Sequence, residues 1–383
     1  MDGSQGAPDG AETLVGVLAV SADSHITEPP NLYRDFIDPA FRERAPYVAR
    51  DPEKGGEGFY IEGFARPVAL GLLAAAGRDP QTIKLTDTSF EDLHRSGWDP
   101  AYRIADQERD GVQAEFLYPT VGMLICNHPD GAYKNACGWA YNRWLQAYVA
   151  GAPGRLYGLG QIFMISPQQA IADLRKIKDM GFKGVMMPGD PAVEDYDSKI
   201  YDPVWATAVE LNLPLSFHIL TTKSGSLAQN PRGPRINSFL SIIRGNQDII
   251  GTLIFGGVFD RHPDLKVVCV EADAGWAPHY MYRMDHAYKR HRYWMKAPPL
   301  ERLPSDYFRQ NIYMTFQDDW VAFKTTGLVN PRRLMWASDF PHSDSTWPNS
   351  QAVIEEQTAT LTEDQRNWIC HDNVAELYGL TVN

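Results

Sequence analysis

The stretch Val17-Leu18-Ala19-Val20-Ser21-Ala22-Asp23-Ser24-His25-Ile26-Thr27-Glu28 decides how this chain is read. Its first half is an apolar run of strand length, and its second half is dense in carboxylate and imidazole. Extended chain alternates its faces, so Asp23 and His25 point the same way just past the apolar part. Strands that end in metal-binding residue types are what the C-terminal mouth of an α/β barrel requires. The pattern recurs down the chain. Ser216-Phe217-His218 ends the run 214–219, Val270-Glu271-Ala272-Asp273 ends 266–272, and Ser338-Asp339-Phe340-Pro341-His342 ends 334–338. With 17–22, 114–119, 157–162, 184–188 and 312–316, the short apolar runs number eight.

Helix-period stretches lie between these runs at 130–148, 167–180, 202–211, 236–259, 275–290 and 319–327. Two more, at 351–360 and 363–378, follow the eighth run. Strand and helix in alternation predict an α/β fold with a parallel sheet, here a (β/α)8 TIM barrel. A doubly wound open sheet is the rival. No GxGxxG follows the first run, which removes the usual nucleotide-binding form of that rival. Residues 29–97 break the rhythm: they are rich in Pro, Gly and Arg and far longer than an ordinary βα loop. Inserted after the first strand, they should lie over the barrel mouth as a lid, because Phe59, Tyr60, Phe64, Phe90 and Trp98 want burial. The expected organisation is a disordered tail over 1–16 and one metal-dependent barrel domain over 17–383.

Bulk composition narrows the class. The chain has 383 residues, 44% of them hydrophobic, enough for a large core. Its formal net charge of −12 and the lack of a long basic run argue against nucleic acid as a partner. The four cysteines, Cys126, Cys137, Cys269 and Cys370, show no CxxC spacing and read as thiols in a reducing compartment, so a cytoplasmic location is expected. The apolar run 14–20 is too short for a signal peptide and has no Lys or Arg before it; nothing approaches a membrane span.

A lone histidine at a strand end is more often hydrogen-bonded structure than ligand, Asp339-Phe340-Pro341 could be a turn, and Glu271 could cap a helix. Taken together, however, the ends of runs one, five, six and eight offer Asp23, His25, Glu28, His218, Glu271, Asp339 and His342 as candidate metal ligands. A shared divalent ion would satisfy groups that are otherwise costly to bury. Glu271 and His342 are also the candidate catalytic groups. His94, His128, His262, His286, His291 and His371 lack this setting, and His279 is left undecided. Two basic stretches could contact an anionic substrate: Lys223 with Arg232 and Arg235, and Arg290 with Arg292; solvated helix ends explain them equally well. Tyr118, Trp276, Phe316, Trp320 and Trp347 could line an apolar pocket or simply pack the barrel.

From Ala22 onward the chain resembles the amidohydrolase superfamily, in the branch of aminocarboxymuconate-semialdehyde and resorcylate decarboxylases. The likeness rests on Asp23-Ser24-His25, Pro214-Leu215-Ser216-Phe217-His218, Leu265-Lys266-Val267-Val268 with Glu271, and Trp336-Ala337-Ser338-Asp339-Phe340-Pro341-His342. It implies His25, His218 and Asp339 as ligands. Three departures stand out. Those enzymes usually open with His-x-His or Glu-x-His, where this chain has Asp23-x-His25. They usually place a histidine after strand six, where Glu271 stands. No lysine ends strand four, where Met186-Met187-Pro188 lies, so a carbamylated-lysine bridge is not supported.

The carboxylate-rich set also looks like that of the barrel-fold nonheme diiron monooxygenases acting on coenzyme A-linked diterpenoid acids. That resemblance implies two irons, O2, an electron donor of unknown identity and a hydrophobic CoA-thioester substrate, and it is preferred because it accounts for Glu271 in place of histidine. The alternative is a mononuclear Zn or Mn hydrolase or nonoxidative decarboxylase, in which the ion polarises a carbonyl or activates water. A noncatalytic binding protein is the third reading, and an intact ligand set argues against it. Barrel enzymes of this type are often homodimers, and no interface signature decides that here.

Overall fold

The computed structural model describes residues 18–223 and 233–380. Eight strands, Ala19–His25, Val112–Tyr118, Leu156–Gln161, Gly184–Met187, Leu215–His218, Val267–Val270, Ile312–Phe316 and Leu334–Trp336, pair in chain order. Every neighbouring pair is parallel. The last strand returns to the first. Asp339 N donates to Asp23 O at 3.0 Å, His25 N to Phe340 O at 2.8 Å, and Ser338 N to Ser21 Oγ at 2.9 Å. This nearly closes the sheet into a TIM barrel.

The strands read as continuous apolar runs because both of their faces are buried. Val185, Met187, Leu215, Phe217, Val267, Cys269, Leu334 and Trp336 join the outer core against the helices, while Met186, Val268, Val270, Tyr313 and Met335 join the inner one. On the same alternation Ser216, His218 and Thr315 face inward, and past an irregularity between Ser21 and Ser24 so do Asp23 and His25, polar residues layered above apolar ones toward the mouth. Gly160 lets the helix Pro167–Asp179 approach closely: a Cβ there would lie 2.2 Å from Ile177 Cδ1.

The insertion is more regular than its composition suggests. It holds a three-stranded antiparallel sheet of Tyr47–Arg50, Glu57–Tyr60 and Val68–Ala69. Phe59 and Phe90 are buried, whereas Tyr60, Phe64 and Trp98 are half-buried. The segment is fastened beside the first and eighth strand ends. Ala76 N donates to Pro341 O at 3.0 Å, and Thr27 N to Gly97 O at 3.0 Å. Ala76 also packs with Phe340 and Trp347. The helix Pro100–Asp110, absent from the periodicity reading, follows; Asp99 caps it and Gly111 ends it with φ 69°. The predicted helix 236–259 is instead a turn at Arg235–Ser238, a helix Arg244–Phe255 and a short helix Val258–Arg261, broken at Gly256-Gly257. The tail expected over 1–16 lies outside the described residues. Among the described residues no helix is long and apolar enough to cross a membrane.

Candidate metal centre

Six of the seven proposed ligands converge where the first, fifth, sixth and eighth strands end. Asp23, His25 and His218 are fully buried, as is Asp339, while Glu271 and His342 keep some exposure, with 14% and 11% of their side chains accessible. His25 Nε2 lies 3.5 Å from Asp23 Oδ1, 3.4 Å from Glu271 Oε2 and 3.4 Å from Asp339 Oδ1. His218 Nε2 lies 3.1 Å from Glu271 Oε2, 3.7 Å from Asp23 Oδ1 and 3.1 Å from His25 Nε2. Glu271 and Asp339 reach this point from left-handed backbone, φ 54° at each, a conformation non-glycine residues rarely adopt.

The remaining imidazole atoms show what the centre is built to hold. His25 Nδ1 meets Pro119 O at 2.9 Å, and His218 Nδ1 meets Ile219 O at 3.1 Å. A carbonyl only accepts, so both Nδ1 atoms carry hydrogen and both Nε2 atoms turn toward the carboxylates. Asp23 Oδ1 and Glu271 Oε2 are buried, and the polar atoms facing them in common are the Nε2 atoms of His25 and His218. Lone pairs gathered this closely need a cation or an added proton between them. Two overlapping sets fit a divalent ion: Asp23, His25, His218 and Glu271, or His25, Glu271, Asp339 and His342, each with its ligand atoms within 4.8 Å of one another. Thr315 supports the set, its Oγ1 accepting from Glu271 N at 3.0 Å and lying 3.5 Å from Asp23 Oδ2.

The protonation pattern follows from these contacts. Burial pushes the Asp23 carboxyl up, but hydrogen bonds and charge from His218 and His25 outweigh it and hold Asp23 below its ordinary value. Glu271 is likewise held far down, His218 overcoming the effect of burial. Asp339 goes the other way: burial and then the neighbouring Glu271 charge raise it well above the carboxylate range. Its partner His342 is lowered, chiefly by burial. His342 Nδ1 sits 2.9 Å from Asp339 Oδ1, and His342 Nε2 sits 3.0 Å from Thr120 Oγ1. The Thr120 hydroxyl donates to Ile26 O at 2.6 Å, so it accepts from His342 Nε2–H. His342 Nδ1 then carries the lone pair, and Asp339 donates to it as a neutral acid.

Glu28 is not brought into the set. Its carboxylate accepts the backbone N–H groups of Thr120, Val121 and Gly122 at 3.0 to 3.1 Å, anchoring the loop after the second strand. The basic candidates lie elsewhere. Arg290 and Arg292 close the far end of the helix Ala277–His291, about 22 Å along its axis from the mouth at 1.5 Å per residue. Arg235 is exposed in its turn, the Lys223 backbone N–H donates to Asp190 Oδ2 at 2.7 Å, and Arg232 lies outside the described residues. Tyr118 flanks both ligand histidines, with ring centroids 6.1 Å from His25 and 5.3 Å from His218, while Trp320 is 63% exposed. His279 is exposed and belongs to neither ligand set. What the sequence reading missed is the layer beneath the ligands, Thr120, Thr315, Arg103 and Glu115. A glutamate inside the apolar run 114–119 was the one available signal for it.

Residues 25–380 match the amidohydrolase family, and the chain belongs to it. Among its relatives is a gamma-resorcylate decarboxylase of Polaromonas sp., 26% identical over 311 residues, covering 73% of this chain and 86% of the relative. The fold aligns with an amidohydrolase from Mycobacterium avium subsp. paratuberculosis at a TM-score of 0.75 and 21% identity, covering 96% and 99% of the two chains. It also aligns with a 5-carboxyvanillate decarboxylase of Novosphingobium aromaticivorans, complexed with manganese and 4-hydroxy-3-methoxy-5-nitrobenzoic acid, at 0.68 and 18%, covering 95% and 97%.

These findings overturn the monooxygenase expectation. The relatives are decarboxylases, so the oxidoreductase reading falls, and with it the two irons, the electron donor and the CoA-linked substrate. The geometry gives a physical reason against two ions. Both candidate sets draw on His25 Nε2, whose single lone pair serves one ion, and Nδ1 is committed to Pro119.

Proposed function

We propose that this protein is a nonoxidative decarboxylase of small aromatic acids that uses one divalent ion, manganese or zinc, held by Asp23, His25, His218 and Glu271. The observation that carries the reading is the division of labour inside the cluster. Four groups present ionised carboxylate or imidazole nitrogen to one point, while Asp339 beside them is kept neutral. An ion bound there would supply Lewis acidity toward oxygen atoms of the substrate. Breaking the bond between the ring carbon and the carboxyl carbon releases CO2 and leaves an electron pair on the ring carbon. That pair needs a proton. Asp339 Oδ1 holds one in its bond to His342 Nδ1, which orients the acid, and solvent returns a proton to the carboxylate left behind. Glu271, the one partly exposed member of the set, marks the side from which substrate arrives. The segment 29–97, fastened to Pro341 through Ala76 beside the eighth strand end, would keep water from the site.

The test is CO2 release from a panel of hydroxybenzoates, including gamma-resorcylate and 5-carboxyvanillate, by protein reconstituted with Mn2+ or Zn2+ under strict anaerobiosis. Turnover without O2, abolished by chelation and restored by metal, is expected. Absence of metal-dependent CO2 release across the panel overturns the reading. Asp339→Asn should keep the metal and lose turnover by roughly 100-fold or more, the range for removing a positioned general acid.

A further inference from the structure

Beneath the ligands lies a buried ion pair to which neither the fold comparison nor the chemistry above gives a role. Arg103, on the helix Pro100–Asp110, is fully buried. Its Nε donates to Glu115 Oε2 at 2.6 Å, and Nη2 donates to Glu115 Oε1 at 2.9 Å, a two-pronged contact with the second strand. The free side of the fork reaches the first strand and the loop after the eighth. Nη1 donates to His25 O at 2.8 Å, and Nη2 also donates to Phe340 O at 3.0 Å. The guanidinium lies over the Phe340 ring, 4.7 Å from its centroid. Glu115 is held in turn by Ser24 Oγ at 3.0 Å and Gln107 Nε2 at 2.6 Å. Phe340 O accepts from His25 N as well, so one carbonyl ties the first strand, the eighth strand and the arginine together.

We infer that Arg103 and Glu115 are positioning residues of the metal centre, a planar brace that sets the spacing between His25 and Asp339 across the seam of the barrel. A buried ion pair is weak evidence for stability alone, because desolvation offsets most of the attraction. Its geometry here is spent on two carbonyls, one belonging to a ligand and one to the residue beside the proton-holding Asp339. Only a guanidinium can serve both carbonyls while gripping a carboxylate with two parallel bonds; an ammonium at the same place is a point donor. No ladder pairing joins the first strand to the eighth among the described residues, and the first strand's register against the second slips between Ser21 and Ser24, which leaves the brace to fix the strand end.

The inference rests on the metal-centre reading, and the experiment separates the two. Mn2+ binding is titrated by the loss of the free-ion electron paramagnetic resonance signal in the wild type, Arg103→Lys and Glu115→Asp, with the unfolding midpoint of each chelator-treated protein measured alongside. In Arg103→Lys, Mn2+ should bind about 10- to 100-fold more weakly, the range for losing an outer-shell partner. Glu115→Asp keeps both charges but draws the carboxylate back by one methylene; it should weaken binding in the same direction and serves if the lysine variant does not fold. A lowered midpoint with Mn2+ affinity within twofold of wild type in the folded variants makes the pair merely structural and overturns the inference. No Mn2+ binding by the wild type removes the metal centre itself, and the brace with it.

Discussion

His218 stands between Glu271 and Asp23, and its protonation is coupled to whatever occupies the centre. Burial alone would lower its pKa, but the Glu271 charge and the hydrogen bond to Asp23 outweigh that and carry it up to about 10. At neutral pH the folded, chelator-treated protein therefore holds a proton on His218 that a metal ion must displace. Mn2+ loading at pH 7.5 should release about one proton per ion from this group, and affinity should climb as pH rises toward 10. Calorimetric titration in buffers of different ionisation enthalpy reads the proton count directly; an affinity flat between pH 7 and 9 would show that His218 is already neutral. The stability linkage has a matching sign. The folded pKa lies above the unfolded one, so the stabilisation is complete below the unfolded value of about 6.5 and fades as pH rises through about 10. Glu28 gives a contrasting prediction. Glu28→Ala leaves three backbone N–H groups without their acceptor and should cost about 2–4 kcal/mol in urea denaturation, with one Mn2+ still bound per chain. Loss of the ion in a folded variant would move Glu28 back among the ligands. Most of the cluster could be read from residue types at strand ends. Glu28 could not, because the same carboxylate serves a metal or a turn of N–H groups, and only the loop after the second strand decides which.

At the scale of elements, legibility followed burial. All eight runs became strands because a barrel strand is covered on both faces and must be apolar throughout, a signal that needs no partner to be recognised. The helices were harder. The periodic stretch 236–259 contains Gly256-Gly257, and the left-handed backbone at Gly257, φ 68°, breaks it. The helix Pro100–Asp110 shows no such signal because its buried residues are polar: Arg103 and Gln107 meet Glu115 on the second strand, and Asp110 meets Ser350. A helix whose inner face is built for an ion pair shows no apolar stripe. The insertion hid its sheet for a related reason: two- to four-residue strands are too short for an alternation to declare itself. Strand three shows how tightly the outer layer is drawn. Gly160→Val must displace Ile177 and the helix carrying it, and should destabilise the fold by about 1–3 kcal/mol, the cost of overpacking. Mn2+ affinity should stay at the wild-type value, since Gly160 faces outward. A variant of unchanged stability would mean the helix can retreat freely.

At the scale of the whole molecule, charge sets the terms on which a substrate approaches. The chain carries a formal charge of −12, and the partly exposed Glu271 has acidic company at the mouth. Asp273 is pushed up to about 7, by burial first and then by Asp319, Asp318, Asp344 and Glu271, which gives the mouth a concentrated negative potential. The arginines that could have offset it, Arg290 and Arg292, sit at the other end of their helix. A field of this sign draws a divalent cation in and holds an aromatic carboxylate back. Salt screens both effects over a Debye length of about 8–10 Å near physiological ionic strength. The two consequences therefore have opposite signs. Raising ionic strength from about 0.01 M to about 0.15 M should weaken Mn2+ binding to the chelator-treated protein. Over the same range, KM for an anionic hydroxybenzoate should fall by about twofold or more in the Mn2+-loaded protein as like-charge repulsion is screened. A KM that rises with salt would mean that attraction governs the encounter, through cationic groups facing the mouth.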